Sequence, residues 1–177
     1  MADPRLIVLI MAVLAVSCGK PTAPLANNTE ADASLATSAL EQTAQKAGVI
    51  ADTSASPAGL YRSRHEAGQD SLCIVKGKDG AMRFGLEAAF GEHSECHGSG
   101  TVRRSGDRLI MNFDRSACLV VADYEGDRVA LPGALDVECD RLCSERGTLE
   151  GVSFPRVSRD EGVARDARDK RGNSLCT

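Results

Sequence analysis

GSGTVRRSGDRLIMNF, residues 98–113, carries two strand signals around one turn. Residues 98–104 form an extended run, Arg104-Ser105-Gly106-Asp107 is a turn, and 108–113 alternates. Side chains of a strand point to opposite faces with period two, so Leu109, Met111 and Phe113 share one face. Arg108, Ile110 and Asn112 take the other. Gly98-Ser99-Gly100 opens the first run, where glycine reads as a bulge or a barrel corner.

The same unit repeats outward. Lys78-Asp79-Gly80 and Tyr124-Glu125-Gly126-Asp127 also separate apolar stretches, as hairpin connections do. Strand-like runs lie at 60–64, 72–76, 82–89, 98–104, 108–113, 117–122, 128–131 and 148–154. About eight short strands at this spacing predict a mainly β fold, a small antiparallel meander closing into a barrel or curved sheet. A two-sheet sandwich is the other arrangement this spacing allows. Ser158-Arg159-Asp160-Glu161 has the form of a capping box. It predicts a short C-terminal helix over 159–171, ended by Gly172 and solvated except at Val163, Ala164 and Ala167.

All six aromatic residues, Tyr61, Phe84, Phe90, Phe113, Tyr124 and Phe154, follow residue 57, so the core is expected in 57–177. Residues 19–56 are rich in Ala, Thr and Ser and hold no aromatic side chain. Such a stretch buries too little apolar surface to offset its ordering entropy, which predicts a disordered tether over 18–56. Within it, 38–47 favours a transient helix.

The seven cysteines sort into one and six. Cys73, Cys96, Cys118, Cys139, Cys143 and Cys176 are an even set and predict three disulfides bracing the β domain. Six cysteines permit fifteen pairings, and spacing does not choose among them. Cys139 and Cys143 either join different partners or close one tight loop, and Cys176 ties down the C-terminus.

Cys18 stands apart. Arg5 precedes an apolar run at 6–16, too short for a membrane-spanning helix of about 20 residues but suited to a signal peptide. Leu14-Ala15-Val16-Ser17-Cys18 follows directly and resembles the bacterial lipobox. The resemblance implies a signal peptide over 1–17, cleavage before Cys18, diacylglycerol on its sulfur and an acyl chain such as palmitate on the new amine. Two or more acyl chains anchor stably where one does not. Gly19 after the cysteine, in a Gram-negative cell, implies the outer membrane with the domain facing the periplasm. The layout of lipid anchor, short β domain and disulfides is similar to that of small periplasmic lysozyme-inhibitor lipoproteins. The similarity is of layout only, and the inhibitory segment of that family is not found here.

Other chemistry is thin. His93-Ser94-Glu95-Cys96-His97 gathers potential metal ligands, but a cysteine in a disulfide is no thiolate ligand, so no metal is expected there. Gly91 and Gly98 flank the segment, which predicts a loop. Asp123, Glu125 and Asp127 alternate as in a calcium loop, but Gly126 comes too early and position twelve would be Ala134, so the segment reads as a polar turn. No nucleophile elbow or phosphate loop occurs, and Cys139-x-x-x-Cys143 is one residue longer than the redox motif. Arg156, Arg159, Arg165, Arg168, Lys170 and Arg171 are interleaved with Asp160, Glu161, Asp166 and Asp169, as on a surface laced with ion pairs. The net charge of −4, with no basic stripe, gives no support to nucleic-acid binding. The expectation is a membrane-anchored envelope lipoprotein without a cofactor, its β domain binding an envelope protein or cell-wall ligand or serving structurally. An envelope hydrolase with an acidic active site is the alternative.

Overall fold

Eight strands take up the expected turns in order. They are β1 (Gly59–His65), β2 (Gly68–Lys76), β3 (Met82–Ala89), β4 (Glu95–Ser105), β5 (Arg108–Phe113), β6 (Leu119–Tyr124), β7 (Arg128–Ala130) and β8 (Ser153–Ser158). Each pairs antiparallel with the next, and β8 pairs with β1, which closes a barrel and excludes the sandwich. The computed structural model describes residues 39–44, 46–47 and 49–176. Residues 1–38, with the expected signal peptide and Cys18, lie outside the described residues. The chain divides into a unit of residues 1–42 and one of 43–177. In the first, the described residues 39–42 are helical and exposed. In the second, residues 43, 44 and 46 are also helical, and the barrel follows.

Alternation fills the barrel. Tyr61, Leu72, Ile74, Phe84, Leu86, Leu109, Met111, Val120, Tyr124, Val129 and Phe154 are nearly or wholly buried in one cluster. Burying a side chain of this size contributes roughly 1.5–3 kcal/mol. The interior is therefore packed. Gly98 is part of that packing: a Cβ there would sit 2.3 Å from Phe113 Cε1, and the Phe113 ring is itself fixed edge-on to Phe84 at 4.9 Å. Gly98→Ala should lower stability by about 2 kcal/mol through overpacking, read as a shifted urea midpoint with unchanged slope.

A segment of chain lies at each barrel end. At one end residues 131–152 cross the opening, with Leu131, Leu149 and Val152 in the core. A 3₁₀ helix, Val137–Leu142, lies within this crossing and is not foreshadowed in the sequence. Disulfides Cys118–Cys139 and Cys96–Cys143 staple it to the barrel, so Cys139 and Cys143 do join different partners. At the other end residues 52–56 form a strap. Arg104 donates to the carbonyls of Thr53, Ser54 and Ala55, and Arg156 to that of Ser56.

A second apolar cluster lies outside the barrel wall, where Ala164, Ala167, Leu175 and Cys176 cover Leu60, Cys73 and Val75. The third disulfide, Cys73–Cys176, fixes the C-terminal segment there.

Four expectations are corrected. The last strand begins at Ser153 rather than 148, because Gly151 takes φ 70 and the Val152 amide closes a turn onto Leu149. The helix, α1, spans only Glu161–Arg165, and its N-cap is Asp160 rather than Ser158. It stops early because the Asp169 carboxylate accepts the amides of Arg171 and Asn173, a local turn that competes with helix. Finally, Glu95, Cys96 and His97 belong to β4, not to a loop.

Candidate functional site

The length of β4 makes the site. It has eleven residues and β5 only six, and their pairing ends at Gly100 and Phe113. The first five residues of β4 therefore have β3 on one side and no β5 on the other. Odd-numbered residues turn their main-chain groups to that open side. The Glu95 carbonyl accepts the Ser144 amide, and the Ser99 carbonyl accepts the Asp114 amide. Between them, Cys96 forms an antiparallel bridge with Cys143, which sets the His97 amide against the Leu142 carbonyl.

A cleft of about 250 Å³ opens at this gap. Leu86, Phe113, Leu142 and Leu175 supply apolar walls. His97, Ser99, Arg115, Asp169 and Ser174 supply polar ones. Arg115 sits in the β5–β6 loop, exposed and in no ion pair among the described residues. Asp169 is committed locally: hydrogen bonds from Asn173 hold its carboxyl below the usual range, with desolvation pulling the other way.

Behind His97, on the outer face of β3 and β4, lie two buried carboxylates. Glu87 stands opposite His97 in the sheet register, and Glu95 lies two residues before it on the same face. His97 Nε2 is 3.0 Å from Glu95 Oε1 and 3.9 Å from Glu87 Oε1. The ligand atoms of all three fall within 4.8 Å of one another, a donor set that divalent metals use. Here the chain supplies its own cations. Lys170 Nζ and the Arg171 guanidinium both pair with Glu95, and the Lys170 amide donates to Glu87. The cluster is an ionic staple holding the C-terminal segment over the sheet.

The sequence candidates separate accordingly. His93 is exposed, and its carbonyl accepts from Ser144 Oγ. Cys96 is in a disulfide. Glu95 and His97 meet, and the third member, Glu87, comes from a strand with no motif of its own. Asp123 pairs with Arg108 and Glu125 with Arg128, which makes that segment a hairpin turn. Of the basic run, Arg156 sits at the barrel end, where its guanidinium lies over the Tyr61 and Tyr124 rings and donates to both hydroxyls. Burial holds the Tyr61 hydroxyl well above its ordinary value, with Arg156 pulling the other way.

No protein-family model matches the chain, and no curated protein or solved structure matches it.

Proposed function

We propose that the protein is a lipid-anchored lipoprotein of the bacterial envelope whose barrel is a binding module rather than an enzyme. The lipobox-like Leu14–Cys18 segment supports the anchor. The single observation that carries the binding role is the packed barrel interior, which leaves recognition to the outer wall. There the cleft beside His97 combines apolar walls with polar groups. The carboxylates Glu87 and Glu95 are already held by Lys170 and Arg171, where they serve to fix the C-terminal segment on the sheet. On this reading the chain sits on the outer membrane, faces the periplasm and engages an envelope protein or a cell-wall ligand.

Fractionation tests the anchor. Cys18→Ser should move the protein from the membrane to the soluble fraction while its circular dichroism stays unchanged. Cys176→Ser should loosen the C-terminal segment and leave attachment intact, because it breaks only the bond to Cys73. A Cys18→Ser chain that still pelleted with membranes would end the proposal. Unchanged lysozyme activity in the presence of the pure protein, with no envelope partner recovered, would remove the inhibitor version of it.

A further inference from the structure

Three ligand atoms converge on the outer face of β3 and β4. His97 Nε2, a Glu95 carboxylate oxygen and a Glu87 carboxylate oxygen all lie within 4.8 Å of one another. Around a tetrahedral zinc ion, ligand atoms at ~2.1 Å from the metal are about 3.4 Å apart. His97 Nε2 stands 3.0 Å from Glu95 Oε1 and 3.9 Å from Glu87 Oε1, on either side of that spacing. Both carboxylates are buried, so two negative charges are held together largely out of water. Glu95 Oε2 and His97 Nε2 are enclosed, yet neither makes a hydrogen bond among the described residues. Buried polar atoms are ordinarily hydrogen-bonded, and an orphaned pair of this kind marks a place for an ion.

We infer that this cluster is a zinc site in exchange with the ionic staple. A zinc ion bound by Glu87, Glu95 and His97 takes the place of the Lys170 and Arg171 side chains on Glu95. The two side chains bring two positive charges to two carboxylates, and one divalent ion brings the same. Their side chains are 42% and 66% exposed, so they return to solvent without disturbing the barrel wall. The Lys170 amide keeps its hydrogen bond to Glu87 and orients that ligand. The imidazole selects zinc over calcium and magnesium, which take oxygen ligands. The Cys73–Cys176 disulfide holds the end of the segment whichever cation is present. Zinc at this wall requires neither the lipid anchor nor the binding role proposed above.

The test is a calorimetric titration of the purified full chain in detergent with zinc chloride. Saturable binding of a single ion is expected. Lys170→Met should bind zinc about tenfold more tightly, because two cations competing for one carboxylate oppose each other by a coupling of that order. A staple that only braced the segment would give no such gain. His97→Gln should lose the site while its circular dichroism stays that of the parent. His93→Gln should keep the parent's affinity, since His93 is exposed and outside the cluster. Zinc should also raise the reactivity of the Lys170 amine toward an acetylating reagent, read by mass spectrometry. Calcium should not compete. Absence of zinc binding, binding undiminished in His97→Gln, affinity unchanged in Lys170→Met, or competition by calcium would each overturn the proposal.

Discussion

Arg156→Met should lower the stability of the barrel by about 3 kcal/mol and free the strap at residues 52–56. Three contacts to one charged group are lost together. The guanidinium donates to the Tyr61 hydroxyl at 2.6 Å, to the Tyr124 hydroxyl, and to the Ser56 carbonyl at 2.9 Å. Hydrogen bonds to a charged group contribute about 1.5–3 kcal/mol, and a partly buried cation over an aromatic face about 0.5–2. Methionine keeps much of the apolar stem, so the loss reports the guanidinium. The tyrosine hydroxyls keep their own carbonyl acceptors, Pro57 for Tyr61 and Ala55, Ser56 and Gly126 for Tyr124, which limits the damage. Urea unfolding measures the cost, and amide exchange at Ser54 to Ser56 measures the strap. A variant as stable as the parent, with the strap still protected, would refute this account.

The same cluster gives a pH dependence with a definite sign. Burial raises the Tyr61 hydroxyl above its ordinary 10.0, so the folded chain keeps it protonated where the unfolded chain ionises. Stability from this group is fully present below pH 10.0 and declines as pH rises beyond it. Tyr61→Phe should flatten that decline.

The second large effect is at the opposite end. Serine at Cys96, Cys118, Cys139 and Cys143 together should leave the 131–152 crossing unattached. Closing loops of 47 and 21 residues removes denatured-state entropy worth about 4 and about 3 kcal/mol in the chain-entropy picture. Their sum rivals the whole stability of an ordinary domain, about 5–15 kcal/mol. Each two-serine variant should stay folded with a reduced urea midpoint. The four-serine variant should bind a hydrophobic dye, because Leu131, Leu149 and Val152 leave the core with the crossing. Cooperative unfolding and no dye binding in that variant would show that packing alone holds the plug.

The barrel is legible in the sequence for a local reason. Hairpin turns at Gly80, Gly106 and Gly126 all adopt positive φ, and β5 and β6 alternate in burial. Each of these hairpins could be read within ten residues of itself. The candidate site could not, because it depends on register. That Glu87 faces His97 follows from where the β3–β4 connection begins and ends, and a slip of one residue would have turned Glu87 into the core. The Arg156, Tyr61 and Tyr124 cluster joins three strands far apart in sequence, so no spacing announces it. The 3₁₀ helix escaped for another reason: its six residues are held by two disulfides whose pairing the sequence leaves open.

The strap has a mechanical side. A pull on the chain ahead of Asp52 would otherwise fall on the first residue of β1 and peel its hydrogen bonds one at a time, as a zip opens. Instead the load reaches two guanidinium groups, Arg104 on β4 and Arg156 on β8, which spread it over separate strands in parallel. Strands loaded in parallel must fail together. The barrel is thus built to resist being dragged from its N-terminal side more strongly than its modest size suggests, and a single-molecule pulling trace should rupture at lower force once Arg104 and Arg156 are replaced.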